Sequence, residues 1–115
     1  MKPLVYVAGP YSHPDPVDNT RKAIEFADRL WEEGKVVPFV PHLTLLWHFH
    51  KPHPVEVWYD LDLVFLARCD ALYRMPGEST GADAEVAYAE EIGIPAFAHL
   101  GRLYEWAEQR QGGPF

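Results

Sequence analysis

Glu85 is the first residue of chemical interest, because it is predicted to project from the apolar face of a short helix. Residues 75–93 place turn-forming residues, including Ser79, Thr80 and Gly81, in front of an alanine-rich stretch. At about 100° of rotation per residue, Glu85 falls inside the arc of the apolar side chains. These side chains are Ala82, Val86, Ala89 and Ile92. A carboxylate in an apolar stripe requires either a bonding partner or a chemical role.

A second carboxylate, Asp62, is predicted to face inward in the same way. The helix that opens at Pro54 and continues to about Arg68 carries both Asp60 and Asp62. Rotation places Asp62 among apolar side chains and Asp60 on the opposite, solvated side. Each inward carboxylate could be a partly buried acid bonded to an arginine, a hydroxyl or a backbone N–H. Because their helices bracket one strand, Asp62 and Glu85 also form a candidate catalytic pair.

The surroundings of the two carboxylates predict different protonation states. Glu85 lies near the N-terminal end of its helix, where the helix dipole favours the ionised form. Asp62 lies between Trp58 and Phe65, so the loss of solvation should raise its pKa and keep it a proton donor. One carboxylate anion and one carboxylic acid on either side of a substrate is the arrangement that cleaves glycosidic bonds.

Two further features have both a structural and a chemical interpretation. Ser79, Thr80 and Gly81 offer N–H groups and hydroxyls to an anion or a sugar, although the sequence alone favours a simple helix N-cap as the role of Ser79 or Thr80. Tyr6 lies inside an apolar segment, so it is either a core residue or a buried hydroxyl that needs a partner.

The sequence gives little support for a cofactor. It contains neither GxGxxG nor GxxxxGK[ST], the glycine-rich sequences that bind dinucleotides and nucleoside triphosphates. His48, His50 and His53 form an HxHxxH pattern in a proline-rich segment, which leaves a metal-dependent enzyme as an alternative. The favoured interpretation has no metal and no organic cofactor, with these histidines at the surface or at an interface.

Composition limits the possible partners. The 115 residues are 48% hydrophobic and 14% aromatic, which is typical of one globular domain with its own core. Ten Lys and Arg residues against 17 Asp and Glu residues give a formal net charge of −7. This charge argues against a nucleic-acid polymer or an anionic membrane surface as partner. No apolar run approaches a membrane span, and the single Cys69 fits a reducing compartment, so we expect a cytoplasmic protein.

Strands that alternate with helices predict an α/β fold with a parallel sheet. The predicted strands are residues 4–8, 35–40, 71–75 and 94–98, and the predicted helices are residues 17–33, 54–68, 101–110 and most of 75–93. Pro38 indicates that the second strand lies at an edge of the sheet. Residues 41–54 are predicted to be irregular, with one short helix.

Residues 1–110 are expected to form a single domain, followed by a loose tail over residues 111–115. In parallel α/β folds, ligands bind beyond the carboxyl ends of the strands. These ends carry AGPYS (8–12), the Pro41-His42 pair, RMPGEST (74–80) and AHLG (98–101).

Four segments of the chain together resemble the nucleoside 2-deoxyribosyltransferase-like superfamily. They are VYVAGPYS (5–12), the GxxxPxxPH pattern (34–42), DLVFLARCDAL (62–72) and STGADAEVAYAEEIGIPAF (79–97). The superfamily includes deoxyribosyltransferases, 2'-deoxynucleoside 5'-monophosphate N-glycosidases and a group of small uncharacterised proteins whose first strand also reads AGPYS. The resemblance covers about residues 4–98 and is closest to that last group.

This resemblance implies a flavodoxin-like three-layer sandwich with a parallel sheet of four or five strands, assembled as dimers or larger homo-oligomers. The sequence also contains more aromatic residues than one small domain readily buries, so some of them should form a symmetric dimer interface close to the sugar site. These residues are Trp47, Phe49, Trp58, Tyr59, Tyr104 and Trp106.

The resemblance also implies that Glu85 attacks C1' of the sugar, that Asp62 protonates the leaving base and that Tyr6 orients the nucleophile. The substrate, a small nucleoside or nucleotide, would be bound by Gly9, Tyr11, Ser12, Ser79 and Gly81.

The expected function is cleavage or transfer of the N-glycosidic bond of a nucleoside or nucleoside 5'-monophosphate. Ser79 resembles the monophosphate glycosidases, which carry serine where the deoxyribosyltransferases carry aspartate. Pro10 and Ser12, however, stand where those glycosidases carry serine and arginine. The alternative is a protein that binds a nucleotide or related metabolite in the same pocket without turnover.

Overall fold

The computed structural model describes residues 1–111, which form a four-stranded sheet and five α-helices. The strands are β1 (Leu4–Ala8), β2 (Val37–Phe39), β3 (Ala71–Arg74) and β4 (Ala96–Phe97). The helices are α1 (Pro16–Glu33), α2 (Leu45–His50), α3 (Val55–Leu66), α4 (Thr80–Glu91) and α5 (Leu100–Gln111), and a short 3-10 helix spans Pro41–Thr44. Because α5 extends to Gln111, the remainder of the predicted tail over residues 111–115 lies outside the described residues.

The sheet is parallel throughout, with the strand order β2-β1-β3-β4. Strand β1 pairs on both sides, since Tyr6 lies opposite Phe39 in β2 and opposite Leu72 in β3. Strand β2 lies at one edge, as Pro38 predicts, because proline cannot donate a hydrogen bond to a second neighbour. The predicted α/β fold is confirmed, with four parallel strands in the described residues.

Helices cover both faces of the sheet, which produces three layers. Alternate residues of a strand point to opposite faces. Val5 and Val7 pack in the core beneath α1 and α5, whereas Tyr6 and Ala8 pack in a second core beneath α3 and α4. This alternation places the Tyr6 side chain on the same side of the sheet as Glu85 in α4.

Cap residues fix where the helices begin and end. Asp15 accepts two backbone N–H groups of the first turn of α1, and Gly34 follows the helix with a left-handed φ of 78°. At the start of α4, Ser79 Oγ accepts a hydrogen bond of 3.0 Å from the backbone N–H of Ala82. Ser79 therefore has the predicted N-cap role. Its hydrogen bond fixes the first turn of α4, which follows β3 and leads to Glu85.

Several predicted bounds differ from the structure. Strands β2 and β4 are shorter than predicted, since only Val37–Phe39 and Ala96–Phe97 pair with a neighbouring strand. The segment 41–54 is more regular than expected, since it contains both the 3-10 helix and α2. Ile92, assigned to the apolar stripe of α4, follows the end of that helix and is 41% exposed. No helix within residues 1–111 is long and apolar enough to cross a membrane.

Candidate active site

A cleft of about 350 Å³ opens at the carboxyl ends of β1, β2 and β3. Its walls come from the β1–α1 loop, the 3-10 helix, α3 and the first turns of α4. Asp62 and Glu85 both line this cleft, so the structure brings the two inward carboxylates together. The five residues expected to bind substrate also line it, namely Gly9, Tyr11, Ser12, Ser79 and Gly81.

Tyr6, the third residue of the expected catalytic group, lies beneath the cleft. Its side chain is fully buried in β1, and its hydroxyl donates a hydrogen bond to Glu85 Oε2. Burial, together with the neighbouring carboxylate, raises the pKa of Tyr6, so the hydroxyl remains a donor. The other oxygen, Glu85 Oε1, has no hydrogen-bond partner within residues 1–111. The carboxylate is thus held by one oxygen only.

Burial dominates the acidity of Glu85, which is 8% exposed. Desolvation raises the pKa of Glu85 to about 7, while the Tyr6 hydrogen bond and the charge of Arg74 act in the opposite direction. The expectation that the dipole of α4 keeps Glu85 readily ionised is wrong in this respect, because desolvation outweighs the favourable charges. Burial therefore makes Glu85 a weaker acid than an exposed glutamate side chain.

Asp62 is half-buried, and its Oδ1 atom is buried without a hydrogen-bond partner in the described part of the chain. Burial, and then the charge of Glu85, raises the pKa of Asp62 to about 7, which agrees with the expected proton donor. The Glu85 anion is favoured by Tyr6 and Arg74, whereas the Asp62 anion has no such support. When the pair carries one charge, that charge resides preferentially on Glu85.

The β1–α1 loop carries Tyr11 and Ser12 and is fixed by a residue that the sequence analysis missed. The buried side chain of Asn19 donates hydrogen bonds to the carbonyl oxygens of Tyr11 (3.0 Å) and His13 (2.9 Å). Asn19 lies one turn before Ala23 on the apolar face of α1, so an amide on that face was the available signal.

His42 is a second cleft residue that was not among the predicted site residues. It is 3% exposed, and its Nε2 donates a hydrogen bond of 2.9 Å to the carbonyl oxygen of Pro10. Burial lowers the pKa of His42 and outweighs the backbone carbonyl groups of Pro10 and Gly9, which act in the opposite direction, so the ring is neutral. The edge of this ring packs against Tyr11, with centroids 5.8 Å apart. His42 could have been predicted from the sequence by its position directly after β2, because ligands bind at the carboxyl ends of the strands in this class of fold.

Gly9 and Gly81 both line the cleft, but the space around their Cβ positions differs. A Cβ on Gly9 would lie 2.7 Å from Met75 Sδ, so the packing of the chain itself favours glycine there. A Cβ on Gly81 would meet only Ser79 Oγ, at the ordinary contact distance of 3.9 Å. Nothing in the described chain needs glycine at position 81, which leaves space for a ligand beside α4.

The histidine segment supports the aromatic wall of the cleft. Trp58 is buried and lines the cleft, and its indole N–H donates a hydrogen bond of 2.8 Å to His48 Nδ1. The ring of His53 packs edge-on against Trp58, with centroids 5.4 Å apart. In the described residues no group of three His, Cys, Asp or Glu side chains is placed to hold a metal ion.

Comparison with known proteins defines the family and the fold. The model of a family described as a domain of unknown function (DUF7768) matches residues 3–98, which is most of the chain. No curated protein matches the sequence significantly. Among solved structures, the chain resembles a 2-deoxyribosyltransferase from the psychrotolerant bacterium Bacillus psychrosaccharolyticus, with a TM-score of 0.57 and 16% sequence identity. This similarity covers 84% of the chain and 75% of that enzyme, and it establishes a shared flavodoxin-like fold.

The raised pKa of Glu85 predicts how the stability of the protein depends on pH. Between the ordinary carboxyl pKa of about 4.3 and the folded-state value of about 7, the folded protein holds a proton that the unfolded chain has released. The free energy of unfolding therefore falls as pH rises through this window. Glu85→Gln removes the titrating group, so its stability relative to the wild type should grow by roughly 1–3 kcal/mol between pH 4 and pH 8.

Urea denaturation of both proteins at pH 4, 6 and 8 measures this difference. Asp60→Asn, at an exposed position on α3, is the matched control and should show no such trend. A stability difference for Glu85→Gln that stays constant with pH would contradict a raised pKa at this position.

Proposed function

The chain belongs to the DUF7768 family, and we propose that it is an enzyme that cleaves or transfers the N-glycosidic bond of a nucleoside. The observation that carries this proposal is the buried Glu85, held through Oε2 by Tyr6 and facing the same cleft as Asp62, whose pKa is raised by burial and by the charge of Glu85. This geometry supplies an oriented nucleophile and a proton donor. The structurally similar 2-deoxyribosyltransferase, described as a biocatalyst for nucleoside synthesis, supports the choice of reaction.

In the first step, Glu85 acts as a nucleophile and Asp62 as an acid. Glu85 Oε1 attacks C1' of the sugar, and the bond between C1' and the base nitrogen breaks with its electron pair on the base. The proton of Asp62 is transferred to the base, which leaves as a neutral molecule. The products are a glycosyl ester on Glu85, an ionised Asp62 and the free base.

In the second step, the ester is opened by an acceptor, either water or a second base. Asp62 removes the acceptor's proton while the acceptor oxygen or nitrogen bonds to C1', and Glu85 leaves as a carboxylate. Throughout the cycle the hydrogen bond from Tyr6 fixes Oε2, so that Oε1 keeps its direction toward the sugar. Tyr6 is thus a positioning residue.

The remaining cleft residues fit an uncharged nucleoside. Tyr11, Trp58 and Tyr59 provide aromatic faces on which a base can stack. The acidic side chains in the lining are Asp62, Glu78 and Glu85, and no Lys or Arg lines the cleft in residues 1–111. A phosphate would meet negative potential without a cation to pair with, so we propose that the substrate is a nucleoside rather than its 5'-monophosphate.

The nucleoside substrate, together with the free thiol of Cys69, fits the expected cytoplasmic location.

Within the described cleft lining, the N-terminus of α4 is the feature whose dipole would favour a phosphate, and the acidic Glu78 lies directly before its cap residue Ser79. The value of kcat/KM for release of free base should therefore be at least about tenfold higher for nucleosides than for the matching 5'-monophosphates. Glu78→Gln, which removes one negative charge, should narrow this ratio. Chromatography of free base across a panel of nucleosides and monophosphates provides the measurement. Equal or better turnover of the monophosphates would refute the uncharged substrate.

Substitution of the carboxylates tests the mechanism itself. Glu85→Gln preserves the shape of the side chain but cannot form the glycosyl ester, so turnover should fall by several orders of magnitude while ligand binding persists. Asp62→Asn removes the proton donor, so its loss should be smallest for substrates whose base leaves readily without protonation. Asp60→Asn should leave turnover unchanged. Single-turnover assays of base release compare the three variants.

Two results would contradict the mechanism in different ways. Wild-type turnover by Glu85→Gln on an active substrate would exclude the covalent step. Nucleoside binding by the wild type without any base release would instead indicate the alternative, a binding protein that uses the same cleft.

We also propose a homodimer that buries the apolar face beside the cleft. This face is formed by α2 and α3 and includes Leu46 (76% exposed), Phe49 (60% exposed) and Trp47. It is continuous with the cleft wall, since Val55 and Tyr59 belong to both. Exposed aliphatic and aromatic side chains in one patch are typical of an interface between subunits.

The expected excess of aromatic surface is smaller than the sequence analysis predicted. Of the six residues assigned to it, Trp47, Phe49 and Tyr59 are exposed, whereas Trp58 is buried. Tyr104 and Trp106 pack against the core because α5 lies on the sheet. The candidate dimer face is therefore confined to α2 and α3.

Light scattering at tens of micromolar should give twice the monomer mass for the wild type. Leu46→Glu places a charge in the proposed interface and should produce monomers. Trp31→Glu changes another exposed apolar residue (61% exposed) near the C-terminal end of α1, outside the cleft lining, and should stay dimeric. A monomeric wild type would refute this assembly.

A further inference from the structure

One nitrogen of His42 is left without a partner. The carbonyl oxygen of Pro10 can only accept a hydrogen bond, so the Nε2 atom that lies 2.9 Å from it carries the ring proton. In the neutral imidazole the other nitrogen, Nδ1, then has a lone pair and acts as an acceptor. This Nδ1 atom is buried and has no hydrogen-bond partner in residues 1–111.

An unpaired buried acceptor is unfavourable, and native structures normally satisfy such atoms with protein, water or ligand. His42 is 3% exposed and lines the cleft directly after β2, whereas Glu85 lies in α4, which follows β3 on the other side of β1. The Oδ1 atom of Asp62, in the same cleft, is likewise buried and unpaired. Both of these unpaired polar atoms thus belong to residues that line one cleft.

We infer that His42 is a specificity-determining residue, whose Nδ1 accepts a hydrogen bond from a hydroxyl or N–H group of the bound nucleoside. This inference rests on the proposed function and adds a chemical requirement to it, namely a donor on the substrate at this position. The bond between Nε2 and Pro10 has a separate role, because it fixes the ring and hence the direction of the Nδ1 lone pair. A group with acceptors only, such as a carboxylate or a fully ionised phosphate, is disfavoured at this position.

Two substitutions separate the recognition role from the structural role of the ring. The side-chain amide of Gln can reach the Nε2 position, so His42→Gln can keep the donor to Pro10 but loses the acceptor at the Nδ1 position. The carbonyl of Asn lies near the Nδ1 position, so His42→Asn keeps that acceptor but loses the bond to Pro10. We therefore expect His42→Gln to lose nucleoside affinity but keep its stability, and His42→Asn to keep nucleoside affinity but lose stability.

The experiment measures nucleoside binding by calorimetry, with Glu85→Gln present in each protein to prevent turnover, and thermal unfolding of the same samples. His42→Gln should weaken binding about tenfold, the scale of one hydrogen bond, while it unfolds close to the parent protein. His42→Asn should bind within about threefold of the parent and unfold at a lower temperature. Equal affinity for all three proteins, or a loss of affinity that follows the loss of stability, would overturn the inference.

Substrate analogues give a second measurement that needs no folded variant. For the protein with native His42, nucleosides that each lack one kind of donor, namely each sugar hydroxyl in turn or the N–H groups of the base, should be compared with their parents. One of these analogues should bind about tenfold more weakly, which identifies the donor as sugar or base. Unchanged binding of every analogue would overturn the inference without affecting the proposed reaction. Failure of every nucleoside to bind would instead refute the proposed function.

Discussion

The hydrogen bond from Tyr6 to Glu85 is the interaction on which the proposed active site depends. Tyr6 belongs to β1, which pairs with a strand on each side, so its hydroxyl is fixed by the sheet itself. Glu85 belongs to α4, whose first turn is held at the end of β3 by the Ser79 cap. A shift of either element by one residue would reverse the direction of its side chain or rotate it away, and the carboxylate would lose its only hydrogen-bond partner in the described chain.

The buried carboxyl groups of the proposed active site lower the stability of the folded protein. Two carboxyl groups are withdrawn from water in one cleft, and desolvation raises the pKa of each. Three buried side-chain atoms lack partners in residues 1–111, and two of them, Asp62 Oδ1 and His42 Nδ1, belong to residues that line the cleft. The third, Thr20 Oγ1, lies in α1. Unpaired polar atoms concentrated at one site are typical of functional regions, where a bound ligand completes the hydrogen bonding.

The inward direction of Glu85 and Asp62 could be predicted from the sequence because helical periodicity is a local property. A count of about 100° of rotation per residue is enough to place each carboxylate on the apolar face of its helix. The parallel sheet followed from the order of apolar segments, again a local pattern. His42 was not selected because its role depends on Pro10, 32 residues away, and on the geometry of a loop. The acidity of Glu85 was misjudged because the dipole of a helix can be predicted from sequence, whereas the depth of burial cannot. Tyr104 and Trp106 were misassigned for the same reason, since the docking of α5 decides their exposure.

The central claim is that Glu85 forms a covalent bond to the sugar, and direct observation of that bond is its most decisive test. A nucleoside with fluorine at C2' of the sugar destabilises the transition state for hydrolysis and allows the glycosyl ester to accumulate. After incubation and acid quench, mass spectrometry of tryptic peptides should show the sugar mass added to residues 75–102, and fragmentation should place it on Glu85. Release of free base with no adduct, or an adduct on Asp62, would contradict the account.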